Sequence, residues 1–230
     1  MSDPGTVLLA GASGLVGGHV LARLLAAPAG PRVLAPVRRP LSVAHPRLDA
    51  VVVDLAGDVV ALRERLRAAA PTVSAYVCCL GTTIRDAGSR EAFVDVDREL
   101  VLRLADVARD LGARHAVLVS SVGASAQSGN FYLRVKGEGE RGLAALGFDR
   151  VDVLRPGLLL GERAQHRRGE AIARRLAPAF NPLLRGRLAR YRAIPADDVA
   201  AAAVALLSQD TDGVFVHEHA SLSGLAAITR

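Results

Sequence analysis

The chain of 230 residues has a single lysine, Lys136, among 28 arginines, and it has no tryptophan. Only three tyrosines and five phenylalanines supply aromatic rings. Proteins that bind single-stranded nucleic acid stack bases on such rings, so a chain with so few is poorly equipped for that task. We therefore expect no nucleic-acid partner. The arginine bias also sets Lys136 apart, because every other basic position that is not histidine is an arginine.

Cysteine is scarce as well, with only Cys78 and Cys79, which are adjacent in the apolar run SAYVCCLG. Two neighbouring thiols do not suggest a disulfide framework, and a reducing compartment is the simplest setting for them. The first residues, MSDPGTVLLAGASG, carry an acid where a secretory signal carries basic residues, and no apolar run is long enough to span a bilayer. We predict a cytoplasmic protein without a transmembrane segment, and we interpret both cysteines as core residues of a strand.

The net charge of +6 is unevenly distributed along the chain. Residues 163–192 contain nine arginines and one acid, which gives this segment a charge of +8 and leaves −2 for the rest. Such asymmetry argues against a generally basic nucleic-acid binder. It indicates either a solvated arginine-rich face or a basic flap that contacts an anionic ligand, a membrane surface or a protein partner.

The pattern of apolar residues indicates the fold class. Runs rich in valine and leucine occur at residues 6–11, 32–37, 48–55, 74–81, 115–121 and 151–157, and a short one at 213–217. Stretches with helical periodicity separate most of them, and continuous apolar strands that alternate with amphipathic helices predict a parallel sheet covered on both faces. We expect an α/β fold with a doubly wound parallel sheet (Rossmann fold) in three αβα layers. One domain would cover residues 1–230, with a small substrate-side segment at about 158–195.

A glycine-rich turn follows the first strand, in the sequence GASGLVG, with Gly11, Gly14 and Gly17 three residues apart. Glycine at a strand-to-helix turn lets the backbone approach a pyrophosphate, and the helix N-terminus offers free N–H groups. We prefer a nucleotide site to a merely tight turn. The second strand ends in Arg38-Arg39, where arginine accepts the 2′-phosphate of NADP and an acid would bind the ribose hydroxyl of NAD. NADP(H) is therefore predicted over NAD(H), with the general arginine bias as the plain alternative.

Several motifs in the right order resemble those of the short-chain dehydrogenases/reductases. CCLGTT (78–83), VDREL (96–100), VKGEGE (135–140) and VLRPGLLLGER (153–163) are similar to the Tat-interactive-protein-like, atypical members of that superfamily. The resemblance covers nearly the whole chain and is weakest over residues 164–192. It implies cofactor contacts around the pyrophosphate, the adenosine end and the nicotinamide. These would come from Gly11, Ser13, Gly14, Leu15, Val16, Gly17, Arg38, Arg39, Asp54, Leu55, Gly81, Thr82, Thr83, Tyr132, Lys136, Pro156, Gly157 and Leu158.

The same resemblance implies a catalytic set of Ser121, Tyr132 and Lys136. Ser128 or Asn130 predicts the start of a helix that ends at Gly147, which puts Tyr132 and Lys136 one turn apart on one face. In the family scheme the tyrosine exchanges a proton with the substrate oxygen while a nearby ammonium favours its ionised form. The lysine would also bind the nicotinamide ribose, and the serine would hold the substrate oxygen.

Two positions qualify this scheme. Ser120 precedes Ser121 and could take its role, although the second serine of such a pair is favoured to face the cofactor. Asp97 stands where many members of the superfamily carry an asparagine that supports a proton relay, which puts that relay in question. We interpret Asp97 in VDVDREL as a helix-start residue.

Two other segments were candidates for a site. His217 and His219 alternate as metal ligands can, but no further ligands stand near them in sequence, so we interpret them as polar surface residues and predict no metal site. Residues 166–180 have Ile172, Leu176 and Phe180 at helical spacing with arginines between. We prefer a lid over the substrate site there to a membrane-surface helix or an ordinary packed helix.

We expect an NADP(H)-dependent oxidoreductase that acts on a small-molecule carbonyl or alcohol. The sequence does not indicate the oligomeric state. With three tyrosines and one lysine, a Tyr-x-x-x-Lys spacing arises by chance with a probability of about 0.01, so this short motif is specific here. The rival hypothesis is a regulatory protein that binds NADP(H) without turnover. Peripheral membrane or protein contact through residues 163–192 is compatible with either.

Overall fold

The computed structural model describes residues 5–161 and 184–229, apart from the side chain of Arg187. Most of the arginine-rich segment 163–192, and the whole of the predicted lid at 166–180, lie outside these residues. Within the described part, seven strands form a parallel sheet in the order β3-β2-β1-β4-β5-β6-β9. These strands are β1 (Thr6–Ala10), β2 (Arg32–Val37), β3 (Leu48–Val52), β4 (Ala75–Cys78), β5 (His115–Val119), β6 (Arg150–Leu154) and β9 (Gly213–His217).

A second, two-stranded parallel sheet joins β7 (Leu159–Leu160) to β8 (Ile194–Pro195). The α-helices are α1 (Leu15–Ala26), α2 (Val59–Ala69), α3 (Ile84–Ala87), α4 (Arg90–Val94), α5 (Leu100–Asp110), α6 (Phe131–Ala145), α7 (Ala196–Leu206) and α8 (His219–Ile228). A π-helical turn, Asp95–Glu99, connects α4 to α5, and a 3₁₀ helix spans Gly186–Tyr191. The strand order reverses between β1 and β4, where an open α/β sheet forms a crevice at the carboxyl ends of its strands.

Apolar side chains cover both faces of the main sheet. Helices α1, α7 and α8 pack on one face, where Val20 and Val199 are fully buried. Helices α2, α5 and α6 pack on the other, where Leu66 and Leu104 are fully buried. The central strands β1, β2 and β4 contact apolar groups on both sides, which explains why their sequences are nearly continuous apolar runs. The predicted doubly wound αβα fold is therefore confirmed.

The predicted boundaries of the helix that contains Tyr132 and Lys136 are confirmed as well. Asn130 caps α6, since its side-chain oxygen accepts a hydrogen bond from the backbone N–H of Leu133 at 3.2 Å. Gly147 follows the helix with φ of +78°, a left-handed conformation that favours glycine. At the other end of the chain, Asp197 and Asp198 lie in the first turn of α7.

A buried polar network joins the last three strands of the sheet. Asp152 is fully buried in β6, and both of its oxygens accept hydrogen bonds from Arg150, at 2.6 and 2.9 Å. The Nε2 atoms of His115 on β5 and His217 on β9 each lie 2.7 Å from a carboxylate oxygen, and His217 Nδ1 lies 2.9 Å from Ser221 Oγ. The interpretation of His217 as a polar surface residue is therefore wrong, because its ring closes a network between strands.

Candidate functional site

The turn between β1 and α1 has room for glycine alone at two positions. Gly11 has φ of +82°, and a Cβ atom there would lie 2.7 Å from the carbonyl carbon of Cys79. A Cβ atom on Gly17 would lie 2.1 Å from the carbonyl oxygen of Gly11. The backbones of the turn, of α1 and of the residue after β4 therefore lie so close together that a side chain at either glycine would separate them. The sequence places glycine here for packing as much as for ligand approach.

This arrangement leaves the N-terminus of α1 open to an anion. Its N-cap residue, Gly14, offers no side-chain cap, and no acid stands in the first turn of the helix. Ser13 and Gly14 are exposed, whereas the Val16 side chain points into the core, so Val16 can offer a ligand only its backbone. Free N–H groups and the positive end of the helix dipole make such a terminus attractive to phosphate.

Side chains for the adenosine end of a dinucleotide follow β2 and β3. Arg38 and Arg39 are exposed, and neither forms an ion pair within residues 5–161 and 184–229. The N–H of Val53 donates to the carbonyl of Val37 at 3.0 Å, so Asp54 follows a strand end beside that of Arg38. Asp54 accepts a hydrogen bond from the N–H of Ala56, and the neighbouring Leu55 is buried in the core.

The segment after β4 leads from the glycine turn to the lysine. A Cβ atom on Gly81 would lie 3.4 Å from Lys136 Nζ. The N–H of Thr82 donates to Asp97 Oδ2 at 2.9 Å, and the hydroxyl of Thr83 caps α3 by accepting from Asp86 N. Gly81 and Thr82 therefore lie beside Lys136 and Asp97, whereas Thr83 is the N-cap residue of α3.

Lys136 is buried on α6, and its ammonium is paired with Asp97 on the π-helical turn. The Nζ atom lies 2.7 Å from Asp97 Oδ1, and Asp97 is itself fully enclosed. The contact is therefore a short ion pair between two buried side chains. Burial lowers the pKa of Lys136, but the charge of Asp97, with a further contribution from Tyr132, outweighs it, so the pKa is raised overall.

Asp97 is the residue that the sequence reasoning misread. It lies inside a helical stretch that runs from Arg90 to Asp110, and not at a helix start. A signal for its burial was present, because Phe93 and Val101 lie four residues before and after it and are both fully buried. An acid at the same spacing as two core residues on a helix belongs to the buried face.

Tyr132 and the two serines occupy the remaining positions of the predicted set. Tyr132 is half-buried one turn before Lys136, and its ring centroid lies 5.4 Å from that of Phe93. Ser120 is buried and donates its hydroxyl to Glu140, which also pairs with Arg155. Among the described residues, the hydroxyl of Ser121 has only a weak contact of 3.5 Å with the carbonyl of Val122. Of the two hydroxyls, that of Ser121 is therefore the one more available to bind a ligand.

The predicted nicotinamide segment, residues 156–158, follows β6 and contacts the loop after Ser121. The carbonyl of Pro156 accepts from Val122 N at 3.0 Å, which ties this segment to the loop after Ser121. A Cβ atom on Gly157 would lie 2.4 Å from the carbonyl oxygen of Arg192, so the chain after the 3₁₀ helix packs directly on it. Leu158 is 48% exposed, which leaves its side chain available for a contact at this edge.

A family model described as NAD(P)H-binding matches residues 11–210, which is most of the chain. The chain belongs to this family. The match starts at the first glycine of the turn after β1 and extends beyond α7, so it includes every predicted site residue. Within the described residues, no helix is long and apolar enough to cross a membrane.

Relatives in this family confirm the resemblance to atypical short-chain dehydrogenases/reductases. Protein fmp52, mitochondrial, of Emericella nidulans is 40% identical over 175 residues, which cover 76% of this chain and 75% of that protein. FMP52 of Eremothecium gossypii is 35% identical over 222 residues, or 95% and 96% of the two chains. Protein HTATIP2 of Rattus norvegicus is 39% identical over 176 residues, or 74% and 69%.

Two solved structures share the fold of this chain. MoeE5 in complex with UDP-glucose and NAD superposes with a TM-score of 0.67 at 18% identity, covering 97% of this chain and 81% of that chain. A short-chain dehydrogenase family protein from Francisella tularensis superposes with a TM-score of 0.65 at 16% identity, covering 97% and 99%. At these identities the likeness concerns the fold alone.

The relatives correct the predicted location. The fungal proteins that match most of this chain are named as mitochondrial. The prediction of a cytoplasmic protein is therefore wrong. Two adjacent cysteines without a disulfide framework indicate only a reducing environment, and the cytoplasm is not the only part of a cell that provides one.

Proposed function

We propose that the protein is an NADP(H)-dependent oxidoreductase of the short-chain dehydrogenase/reductase type that acts on a carbonyl or an alcohol. Ser121, Tyr132 and Lys136 form its catalytic set. The observation that carries this proposal is the position of the only lysine in the chain, buried one turn from Tyr132 and against Gly81. Arginine stands at every other basic position that is not histidine, which supports a specific role for an ammonium here.

The residues around the β1–α1 turn fit a dinucleotide. Side chains at Gly11 and Gly17 would collide with backbone atoms of Cys79 and Gly11. The N-terminus of α1 has no side-chain cap. Its N–H groups would bind the pyrophosphate, while Gly81, Thr82, Pro156 and the backbone of Gly157 would flank the nicotinamide end. The nicotinamide would supply or accept the hydride.

The protein's own residues would move the proton and hold the substrate. Tyr132 would give a proton to the substrate oxygen in reduction and take one in oxidation, which requires its hydroxyl to face the reacting carbon. Ser121 would donate a hydrogen bond to the same oxygen, since its hydroxyl has no strong partner among the described residues. The Lys136 ammonium would bind the ribose and stabilise negative charge on Tyr132.

Replacing Arg38 and Arg39 together by alanine is expected to weaken NADPH binding by at least about tenfold and to leave NADH binding nearly unchanged. Guanidinium groups bind the 2′-phosphate, which NADH lacks. Calorimetry with both cofactors measures the effect. Arg32→Ala is the matched control, because Arg32 lies at the other end of β2 and pairs with Asp49. Equal losses for NADPH and NADH would contradict the predicted preference.

Lys136→Arg is expected to keep the fold but to weaken NADPH binding by about tenfold and to reduce any turnover. The ammonium lies close to Gly81 and Asp97. A planar guanidinium is bulkier and would place its donors differently from the ammonium. Fluorescence titration with NADPH and a circular dichroism spectrum check both parts. Arg141→Lys, on the exposed side of α6, is the control for an arginine–lysine exchange in the same helix. Unchanged NADPH affinity in Lys136→Arg would mean that an ammonium is not needed.

Turnover is tested by a screen of aldehydes, ketones and quinones with NADPH. Consumption of NADPH that depends on one substrate class supports the proposal, and a protein that does not bind NADPH at all contradicts it.

One observation favours the rival, a cofactor-binding regulatory protein without turnover. Asp97 already satisfies the charge of Lys136, which weakens the lysine's influence on Tyr132. Tight NADPH binding without turnover on any substrate would support that rival.

A further inference from the structure

A serine, a histidine and an aspartate are linked in series where β9 meets α8. Ser221 lies in the first turn of α8, and its hydroxyl oxygen is 2.9 Å from Nδ1 of His217, the last residue of β9. The other ring nitrogen of His217, Nε2, lies 2.7 Å from Oδ1 of Asp152 in β6. Ser221 is exposed, whereas only 13% of the His217 side chain and none of the Asp152 side chain is exposed. The contacts therefore lead from an enclosed carboxylate to a hydroxyl at the surface.

The enclosed carboxylate fixes which nitrogen of the histidine ring carries the proton. Burial alone raises the pKa of Asp152, but hydrogen bonds from two histidines and from Arg150 lower it well below its ordinary value. An ionised carboxylate can only accept hydrogen bonds, so Nε2 of His217 donates to it. In the neutral ring Nδ1 then carries the lone pair, and the Ser221 hydroxyl donates to Nδ1. His217 is therefore held in the tautomer and the orientation that a general base for Ser221 needs.

The carboxylate has enough acceptor sites for all of its partners. Arg150 donates to both oxygens, at 2.6 and 2.9 Å, and His115 Nε2 lies 2.7 Å from Oδ2. His217 is paired with Oδ1, the oxygen that His115 does not contact. The two oxygens together accept about four hydrogen bonds, so these contacts can all form at once. Asp152 can therefore hold the ring of His217 while it also binds Arg150 and His115.

The first turn of α8 adds hydrogen-bond donors beside the serine. Leu222 N donates to the carbonyl of Glu218 in the first bond of the helix, and the Glu218 side chain does not cap the terminus. The N–H groups of His219, Ala220 and Ser221 precede that bond and have no acceptor within the helix. Such groups, together with the positive end of the helix dipole, stabilise negative charge that develops on an acyl oxygen. A hydroxyl and donors for an oxyanion therefore lie in one turn.

We propose that Ser221 is a nucleophile that accepts acyl groups from activated esters, with His217 as its general base and Asp152 as the residue that orients the base. The Ser221 oxygen attacks the acyl carbon and forms a new C–O bond, while its proton passes to Nδ1 of His217. The bond between the acyl carbon and the alcohol oxygen of the ester breaks, and that oxygen leaves with the electron pair and takes up the proton. Water, deprotonated by the same base, then attacks the acyl-serine, which releases the carboxylic acid and restores the hydroxyl.

This site is separate from the proposed oxidoreductase centre. Ser121, Tyr132 and Lys136 follow β5 or lie on α6, whereas the acyl-accepting site is built from β6, β9 and α8. Its reaction needs no nicotinamide, because an ester is cleaved without any change of oxidation state. A protein without NADPH binding could still cleave esters, and a protein with NADPH-dependent turnover could lack this reaction. Either proposal can therefore fail without the other.

Hydrolysis of p-nitrophenyl acetate by the whole chain tests the proposal. Release of p-nitrophenolate measures the reaction, and peptide mapping by mass spectrometry identifies the acetylated residue. Ser221→Ala and His217→Gln are each expected to lower the rate of release by at least about tenfold, because general base catalysis contributes about 100-fold or more and other groups of the protein supply only a slow background. The acetyl group that accumulates before hydrolysis should be found on Ser221.

Two neighbours on α8 provide matched controls. Ser223→Ala removes another hydroxyl from the same helix, and His219→Gln removes an imidazole that is hydrogen-bonded to the backbone of Ala193. Both variants should keep the rate of the original protein. Urea unfolding of each variant checks that the fold is retained. Ser221→Ala changes an exposed side chain, so that variant decides the matter even if His217→Gln unfolds.

Three results would overturn the proposal. The first is a rate of release that is no higher with the original protein than in buffer, or that is unchanged in Ser221→Ala. The second is a folded His217→Gln variant that keeps the original rate, since the serine would then react without its base. Ser208 supplies the third, because it is an exposed serine whose hydroxyl donates to the carbonyl of Ala205. Equal acetylation of Ser208 and Ser221 would mean that Ser221 is an ordinary surface hydroxyl.

Discussion

Tyr132→Phe is expected to reduce turnover by at least about 100-fold, because general acid–base catalysis by a positioned side chain contributes about that much or more. NADPH affinity should stay within about threefold, because the variant loses only one of the predicted cofactor contacts, that of the Tyr132 hydroxyl. The ring keeps its contact with Phe93, so the fold should not change. Steady-state kinetics and calorimetry on the same preparation separate the two effects.

Tyr191→Phe is the control for this substitution. Tyr191 ends the 3₁₀ helix, and its backbone packs against Gly157 at the edge of the site. It is the other partly exposed tyrosine in the chain, so it is the alternative source of a phenolic proton. Retained turnover in Tyr132→Phe together with its loss in Tyr191→Phe would contradict our scheme. It would show that Tyr191, on the 3₁₀ helix, transfers the proton.

Asp152→Ala is expected to lower the free energy of unfolding by about 3–5 kcal/mol, because it leaves the buried Arg150 without its counter-ion. The two histidines that contact the carboxylate lose a partner as well. Urea unfolding followed by circular dichroism measures the loss. Asp49→Ala is the control: the pair of Asp49 with Arg32 is solvent-accessible, so that variant should lose only about 0–1 kcal/mol. A similar small loss in Asp152→Ala would mean that the network is not stabilising.

The contribution of Asp152 should also depend on pH. Burial alone raises the pKa of this carboxyl, but the hydrogen bonds from His115, His217 and Arg150 lower it well below its ordinary value of 3.8. The folded protein therefore holds the proton less tightly than the unfolded chain does. The stabilisation is complete above about pH 4 and is lost as the pH falls below that value. The difference between the original protein and Asp152→Ala should shrink as the pH falls below about 4.

The fold could be predicted because its signals are local. Continuous apolar strands, a glycine turn after the first of them and a capping asparagine before α6 each specify a structure within a few residues. The spacing of Tyr132 and Lys136 belongs to the same class, since one helical turn fixes which face they share. Those predictions needed no knowledge of which strands are neighbours.

The polar networks could not be predicted in the same way because their partners are distant in sequence. His115 and His217 lie 37 and 65 residues from Asp152, and only the strand order brings them together. Asp97 reaches Lys136 across two helices, and the π-helical turn that aims it has no reliable sequence signature. The predicted cellular location was wrong for another reason, since amino-acid composition carries no targeting information.

The enclosed lysine has a practical consequence for chemical labelling. Amine-reactive reagents and cross-linkers have one lysine to modify in this chain, and its ammonium is covered and ion-paired. Modification must then wait until the contact between α6 and the π-helical turn opens. The rate of acylation of this one side chain, followed by mass spectrometry, would therefore report how often the contact between α6 and the π-helical turn opens.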